Sequence, residues 1–473
     1  MVENDIKQKI EELLSKSHDP DIYSKIIEVF FKVGIDKSSI FLDKINILPK
    51  LSEQQIRNNF EKNKKILCDF VKNLQDENLD IYKVLSCIFG SFYGDAIGGF
   101  CEFLSSSKNN YKKIFKEKPV FGQLPGQITD DSEMSMCLAY SIMDIPEKEN
   151  IDPNYLYFYY GAWTKSNPID MGKTTQAAFK HYDFKKSYPT NKYFETISKN
   201  IKNDNIKSLS NGFLMRKSTL VAWIYYRFYA KINKAFESIT DYKGLLELYK
   251  KIKYFSHLDN CITHPNVETD SVSAFYCIMA LGAIKGFRAN NIVDKIFNLC
   301  KSDYFKEKKE EGIIATKIIK NIEKFKSKNF DFYRDFGNSK SVDFVGKHIG
   351  WYEHALKLTL YFLVNYDSYE NEKTRFKEIL EQICNLGGDT DTNACIVGGV
   401  IGPLIGLTNF GENFNRVLDV IPRNRALFSI CLMVLYVQYL KNSSRNNQLI
   451  KDDRVFLRTI LTILYDDIEI NYS

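Results

Sequence analysis

The sequence predicts a mostly α-helical fold, on three observations. Apolar residues recur at helical spacing along much of the chain, and runs with the alternating pattern of a strand are scarce. Clusters of Gly, Pro, Asn and Asp, such as "FGQLPGQ" at 121–127, "KSNPIDMGKT" at 165–174, "SLSNG" at 208–212 and "NLGGDTD" at 385–391, separate the helical runs.

Taken in order, the first run is Ile6, Ile10, Leu13 and Leu14, an amphipathic stripe in a lysine- and asparagine-rich region whose one glycine before position 80 is Gly34. Residues 1–80 are therefore expected to form a helical N-terminal extension of unassigned role, ahead of a main body over 81–473. Met134, Cys137, Leu138 and Ile142 mark a helix behind the acids of "TDDSEM", and Leu356, Leu360 and Leu363 mark another after "GWYEHA". The loops between such runs are expected to carry the chemistry. A length of 473 residues allows one large or two to three smaller domains, and 44% hydrophobic with 26% charged residues can build a sizeable core.

Charge and cysteine usage exclude several classes. A net charge of +6, from 65 basic and 59 acidic residues, gives no basic footprint for nucleic acid. The ten cysteines include no CxxC pair and mostly sit in apolar stretches, as reduced buried residues do, which argues against a disulfide framework or a zinc site. The charged start predicts no secretory signal. The longest apolar runs, 394–407 and 426–440, are shorter than the ~20 residues a membrane span needs. The expectation is an intracellular, cytoplasmic protein with no membrane and no nucleic-acid partner, its oligomeric state open.

Two acidic stretches stand out: "GQITDDSEM" at 126–134 and "GGDTDTNACIVGGVIG" at 387–402. Each alone can be read as a helix cap, because Asp and Thr favour that position and carboxylates there suit the helix dipole. Asp130 and Glu133 also have capping-box spacing. An EF-hand is excluded, since counting from Asp389 puts Ala394 where Gly is required and Val400 where Glu is required. A terpene-synthase reading of the Asp130–Asp131 pair fails because the next acid, Glu133, is misplaced. If the two stretches met, they would form an all-oxygen site suited to Mg²⁺ or Mn²⁺ rather than zinc.

These motifs, with "GSFYGDAIGGFCEF" (90–103), "YGAWTKSNPIDMGKTT" (160–175), "SNGFLMR" (210–216), "THP" (263–265) and "GWYEHAL" (350–356), occur in the order seen in the ADP-ribosylglycohydrolase family, and the chain resembles that family over roughly residues 84 to 440. The resemblance implies an all-α orthogonal helical bundle with two Mg²⁺ or Mn²⁺ ions in a cleft. It implies that Thr129, Asp130, Asp131, Asp389, Asp391 and Thr392 are the metal ligands. The ions would hold the distal ribose and the water that attacks its anomeric carbon, where cleavage builds oxocarbenium character. Glu102 and Asp170 each match a family carboxylate with an acid/base role, and either could instead be a turn residue. Asp95 reads as support for a helix start. Ser210, Asn211 and Gly212 suit a pyrophosphate, by backbone N–H groups and small polar side chains. His264 matches a substrate-contacting histidine. Trp351 stands where many members have Tyr, either stacking on substrate or packing in the core.

The expected activity is a di-metal glycosidase that hydrolyses ADP-ribose from a modified protein side chain. ADP-ribosyl-arginine leads because "TDDSEM" and "SNPIDMG" resemble the dinitrogenase-activating branch. The alternatives are O-linked ADP-ribose, on serine or as an acetylated or polymeric form, and a non-catalytic ADP-ribose-binding module.

Overall fold

The computed structural model describes residues 79–417 except 117–118, 122–125, 145–150, 165–167, 184–185, 188, 238–241, 338–347, 412 and 415–416. All but the last two residues of the expected extension over 1–80 lie outside the described residues, as does the apolar run 426–440. The described residues form sixteen α-helices and no strand, so the all-α expectation is borne out. The first eight are α1 (Leu79–Gly98), α2 (Asp130–Asp144), α3 (Pro153–Thr164), α4 (Lys173–Phe179), α5 (Tyr193–Asn205), α6 (Lys217–Arg227), α7 (Tyr229–Glu237) and α8 (Lys243–Asn260). The second eight are α9 (Val267–Ile284), α10 (Ala289–Cys300), α11 (Asp303–Glu307), α12 (Lys309–Phe325), α13 (Phe332–Gly337), α14 (Tyr352–Val364), α15 (Arg375–Leu386) and α16 (Thr390–Ile405).

The frame of the molecule is an antiparallel seam between α1 and α16. Small residues every fourth position let the two backbones touch. A Cβ on Gly90 would lie 2.3 Å from Gly398 O, one on Gly94 2.1 Å from Ala394 O, and one on Gly402 2.2 Å from Ser86 O. The seam ends where the C-terminus of α1 meets the N-terminus of α16, and there Thr390 Oγ1 donates to Gly98 O at 2.7 Å.

Packed against this seam is α9, buried from Thr269 to Ile284 and in contact with α6, α8, α10, α12 and α16. Among the described residues it is the one helix long and apolar enough to cross a membrane, and 89% of it is buried within the fold, as a core helix is. Its start is capped conventionally, the Asn266 side chain accepting from Glu268 N at 2.9 Å. Eight described cysteines are free, seven of them buried and Cys261 partly so, in line with reduced core residues.

The approach to α16 shows how the sequence turns the chain toward the seam. Phe376, Ile379, Leu380 and Ile383 repeat at i, i+3, i+4 and i+7 and bury one face of α15. Gly387 and Gly388 then take φ of +72° and +80°, a conformation other residues adopt at a cost. A Cβ at Gly387 would also meet Leu104 O at 2.1 Å. Phe103 N donates to Gly388 O at 2.7 Å and Gly388 N to Leu104 O at 3.0 Å, so the loop after α1 and the loop before α16 are laced together.

Candidate active site

The seam delivers acids from three segments to one place. Asp95 on α1 is fully buried and accepts from Thr129 N (3.1 Å), Thr129 Oγ1 (2.9 Å), Ser132 N (3.2 Å) and Ser132 Oγ, so α2 is capped by a side chain of another helix. Thr129 Oγ1 also lies 3.0 Å from Asp131 Oδ2, and Thr392 Oγ1 reaches the same oxygen at 3.4 Å. Asp389 stands at the N-cap position of α16 without capping it; its Oδ2 accepts from Asn211 Nδ2 at 2.7 Å. The Glu133 carboxylate accepts from Trp163 Nε1 at 2.8 Å.

Two groups of three carboxylates result. Asp95, Asp131 and Asp391 form one, and Glu102, Asp389 and Asp391 the other, with oxygens inside each group all within 4.8 Å of one another. Like charges this close and this buried resist ionisation. Burial raises Asp95 to about 6 against the pull of the Ser132 and Thr129 hydrogen bonds. Burial, then the charges of Asp389 and Asp170, raise Glu102 to about 9. Asp130, Asp131 and Asp391 are pushed well above the usual carboxylate range, burial again coming first.

The residues fit divalent cations. Asp131 Oδ1 and Glu102 Oε2 are buried with no hydrogen-bond partner, and no described Lys or Arg pairs with any of these acids. The donor set is all oxygen, which selects a hard ion. Asp130 belongs to neither group of three; it lies within electrostatic reach of Asp170, Asp95 and Asp389. Asp170 is half-buried at the edge, its Oδ1 accepting from Met171 N at 2.7 Å.

Beside the acids opens a pocket of about 470 Å³ lined by Lys207, Leu209, Ser210, His348, Gly350 and Trp351. It is built where two loops pair: Asn211 N donates to Gly350 O at 2.8 Å and Tyr352 N to Leu209 O at 3.1 Å. Gly350 is the junction, since a Cβ there would lie 3.2 Å from Asp389 Oδ2 and 3.6 Å from Asn211 Oδ1. The pocket lining contains a lysine and no acid.

Under the pocket is a buried cationic cluster. Arg216, Lys217 and Asp259 are all fully buried. Arg216 Nε lies 3.1 Å from each Asp259 carboxylate oxygen, and Lys217 Nζ donates to Asp259 Oδ2 and, at 2.7 Å, to Asn260 Oδ1. Tyr160 Oη donates to Asp259 Oδ1 at 2.7 Å, and the Arg216 guanidinium sits 4.7 Å from the Tyr160 ring centre. One carboxylate thus faces two cations. The site has an acidic end and a basic floor.

The sequence-derived residues fall on both sides. Thr129, Asp131, Asp389, Asp391, Thr392 and Glu102 come together, with Asp130 and Asp170 alongside. Asn211 belongs to the acidic end: its N–H is taken by Gly350 and its amide by Asp389, so it offers no backbone donor to an anion. Ser210 and Trp351 line the pocket. His264 is fully buried under Ser210 and Gly212, with Nε2 2.8 Å from Ser210 Oγ and Nδ1 2.8 Å from Thr263 Oγ1; its path to the pocket runs through Ser210. Lys207, Leu209, His348 and Gly350 were not singled out by sequence, although they flank "SNGFLMR" and "GWYEHAL". Nor was Asp95 as a member of an acidic triad, although it sits in the "GDAIGG" motif.

Residues 76–431 match the ADP-ribosylglycohydrolase family. A protein of Acanthamoeba polyphaga mimivirus named as an ADP-ribosyl glycohydrolase is 27% identical over 341 residues, 69% of this chain and 88% of that one. The ADP-ribosyl-[dinitrogen reductase] glycohydrolase of Rhodospirillum rubrum is 31% identical over 104 residues, 21% of this chain and 34% of that one. A solved structure named as an ADP-ribosylglycohydrolase-related protein complex aligns over 76% of this chain and 99% of its own, at a TM-score of 0.49 and 18% identity. With both carboxylate triads and the pocket inside the matched span, this chain belongs to the ADP-ribosylglycohydrolase family of hydrolytic enzymes.

Proposed function

We propose that the chain removes ADP-ribose from a modified protein side chain, with ADP-ribosyl-arginine as substrate and two Mg²⁺ or Mn²⁺ ions as cofactors. The observation that carries this is the pair of carboxylate triads sharing Asp391 beside a pocket lined by Lys207 and Ser210. A ribose diol and a pyrophosphate on one molecule need such a neighbouring pair of ends.

Asp95, Asp131 and Asp391 would hold one ion and Asp389 and Asp391 the other, with Glu102 alongside. Divalent ions held there supply Lewis-acid polarisation of hydroxyl groups and water. Asn211 orients Asp389, and Thr129 and Thr392 orient Asp131, so the acids are set before substrate arrives. We assign proton transfer to Glu102, because its buried Oε2 has no partner, whereas an oxygen of Asp170 is already engaged by Met171 N. The reaction adds water across the C1″ bond, leaving a hydroxyl on the ribose and a proton on the departing side chain. Arginine is favoured by the "TDDSEM" and "SNPIDMG" motifs and by the likeness to the Rhodospirillum rubrum protein, whose substrate by name is an ADP-ribosylated protein.

The test is release of ADP-ribose from arginine-linked and serine-linked substrates in Mg²⁺, beside an Asp389→Ala, Asp391→Ala control. Release from the arginine linkage, absent in the control and in EDTA, is expected. Release from serine alone would replace the substrate, and ADP-ribose binding without any release would make the chain a binding module.

A further inference from the structure

A chain of four side chains leads from the buried cationic cluster to the pocket. Arg216 Nη2 donates to Thr263 Oγ1 at 3.0 Å. Thr263 Oγ1 lies 2.8 Å from His264 Nδ1, and His264 Nε2 lies 2.8 Å from Ser210 Oγ in the pocket wall. We propose that Arg216 and Thr263 lock His264 as the Nε2–H tautomer, which makes Ser210 a dedicated hydrogen-bond donor to an anionic oxygen. In the function proposed above, on which this destination rests, that oxygen belongs to the pyrophosphate of ADP-ribose.

The direction follows from counting protons. Arginine has donors and no acceptor, so its bond to Thr263 fills a lone pair of that hydroxyl and cannot receive its proton. The remaining partner of the Thr263 hydroxyl is His264 Nδ1. Were Nδ1 protonated instead, a fully buried hydroxyl would have a proton with no acceptor, at a cost of about 1–3 kcal/mol. Burial and the adjoining Arg216 and Lys217 cations keep the imidazole neutral, holding it well below its ordinary value. A neutral ring accepting at Nδ1 must donate at Nε2, and that proton goes to Ser210.

Ser210 is thereby left with its own proton to give. The hydroxyls of Thr174 and Ser208 are each 3.3 Å away and bond each other at 2.8 Å. Its better acceptor is whatever occupies the pocket. Gly212 is part of the device: a Cβ there would press on the His264 ring at 3.3 Å. Lys207 adds positive charge on the same wall. Arg216 and Thr263 act through His264 and Ser210, and are positioning residues.

The experiment is ¹⁵N NMR of the histidine rings in the full chain, wild type against Thr263→Val and Thr263→Ser, with ADP-ribose and adenosine titrations in Mg²⁺ and steady-state kinetics. The expected result is an Nε2–H His264 in wild type and T263S, and a mixed tautomer in T263V. T263V should bind ADP-ribose about tenfold more weakly, the size of one hydrogen bond to a charged group. Adenosine affinity and kcat should change little while KM rises. An Nδ1–H or doubly protonated ring in wild type would overturn the proposal, as would a T263V chain that keeps the tautomer or loses ADP-ribose and adenosine affinity equally. Should the wild type carry the Nε2–H ring yet bind no ADP-ribose, the function proposed above fails, and the pyrophosphate destination of the Ser210 proton fails with it.

Discussion

Gly98 on α1 and Asp391 on α16 touch through their backbones: a Cβ added at Gly98 would lie 2.3 Å from the Asp391 Cα and 2.4 Å from Thr390 O. Nothing there is the far end of a flexible side chain. Gly98→Ala should therefore lever the two helix ends apart, lowering stability by about 3 kcal/mol or more, as overpacking of a rigid contact does. Thermal unfolding with and without Mg²⁺ checks this; the Mg²⁺-induced rise in Tm should shrink together with Tm itself. An unchanged Mg²⁺ response would separate the seam from the site.

The acids should destabilise the metal-free protein. Glu102 is held up to about 9 against an ordinary 4.5, so its burden is absent below pH 4.5 and complete above about 9. The metal-free chain should gain stability as pH falls from 9 towards 5, and saturating Mg²⁺ should flatten that slope. Asp391→Asn should raise the metal-free Tm and abolish the rise on adding Mg²⁺, which at a hundredfold excess over Kd would be worth about 2.7 kcal/mol in the wild type. Calorimetry over pH decides it. A metal-free Asp391→Asn chain less stable than wild type would mean the acids are not repelling one another.

Below pH 4 the trend should reverse. Arg216 and Lys217 hold the Asp259 carboxyl at about 2 against an ordinary 3.8, overcoming the opposing effect of burial. Its stabilisation, about 2 kcal/mol, is present above pH 3.8 and lost as pH falls through 2. Lys217 does not gain in return: burial and the competing Arg216 charge hold its ammonium below the usual value. Asp259→Asn would strand two buried cations and should cost about 3–5 kcal/mol. A loss below 1 kcal/mol in urea unfolding would contradict that.

Gly350→Ala probes the junction of pocket and acids. The new Cβ would sit 3.2 Å from Asp389 Oδ2, a contact relieved by a shift of tenths of an ångström. The fold should survive with Tm nearly unchanged, while metal affinity drops about tenfold, as for other changes that reorient a ligand. Titration of Mg²⁺ against activity reads this directly. Equal metal affinity in both proteins would show that Asp389 has room to spare.

The all-α fold was legible in the sequence, because helical spacing is local. Each acidic stretch alone read as a helix cap, and it was the resemblance to a known family that implied the two meet. The glycine spacing of Gly90, Gly94, Gly98, Gly398 and Gly402 was equally visible, and as small residues at every fourth position it could have named the α1–α16 contact. Less legible was the identity of the third acid in each group. Asp95 looked like a support and is one, since it caps α2, yet its position under the seam also puts it beside Asp131 and Asp391. His264 shows a different limit: a histidine motif announces itself, but whether the ring faces a ligand or hides behind a serine depends on Thr263, Arg216 and Asp259, which only the folded chain assembles.

The seam joins the earliest described helix to the last, with Thr390 bonded to Gly98 at a sequence separation of 292. During synthesis the ribosome must therefore release α16 before either acidic triad can close, because each needs Asp391. A fragment stopping short of it would carry the pocket wall and the cationic floor without a place for a divalent ion. In the function proposed above, metal uptake would report that translation has passed Asp391.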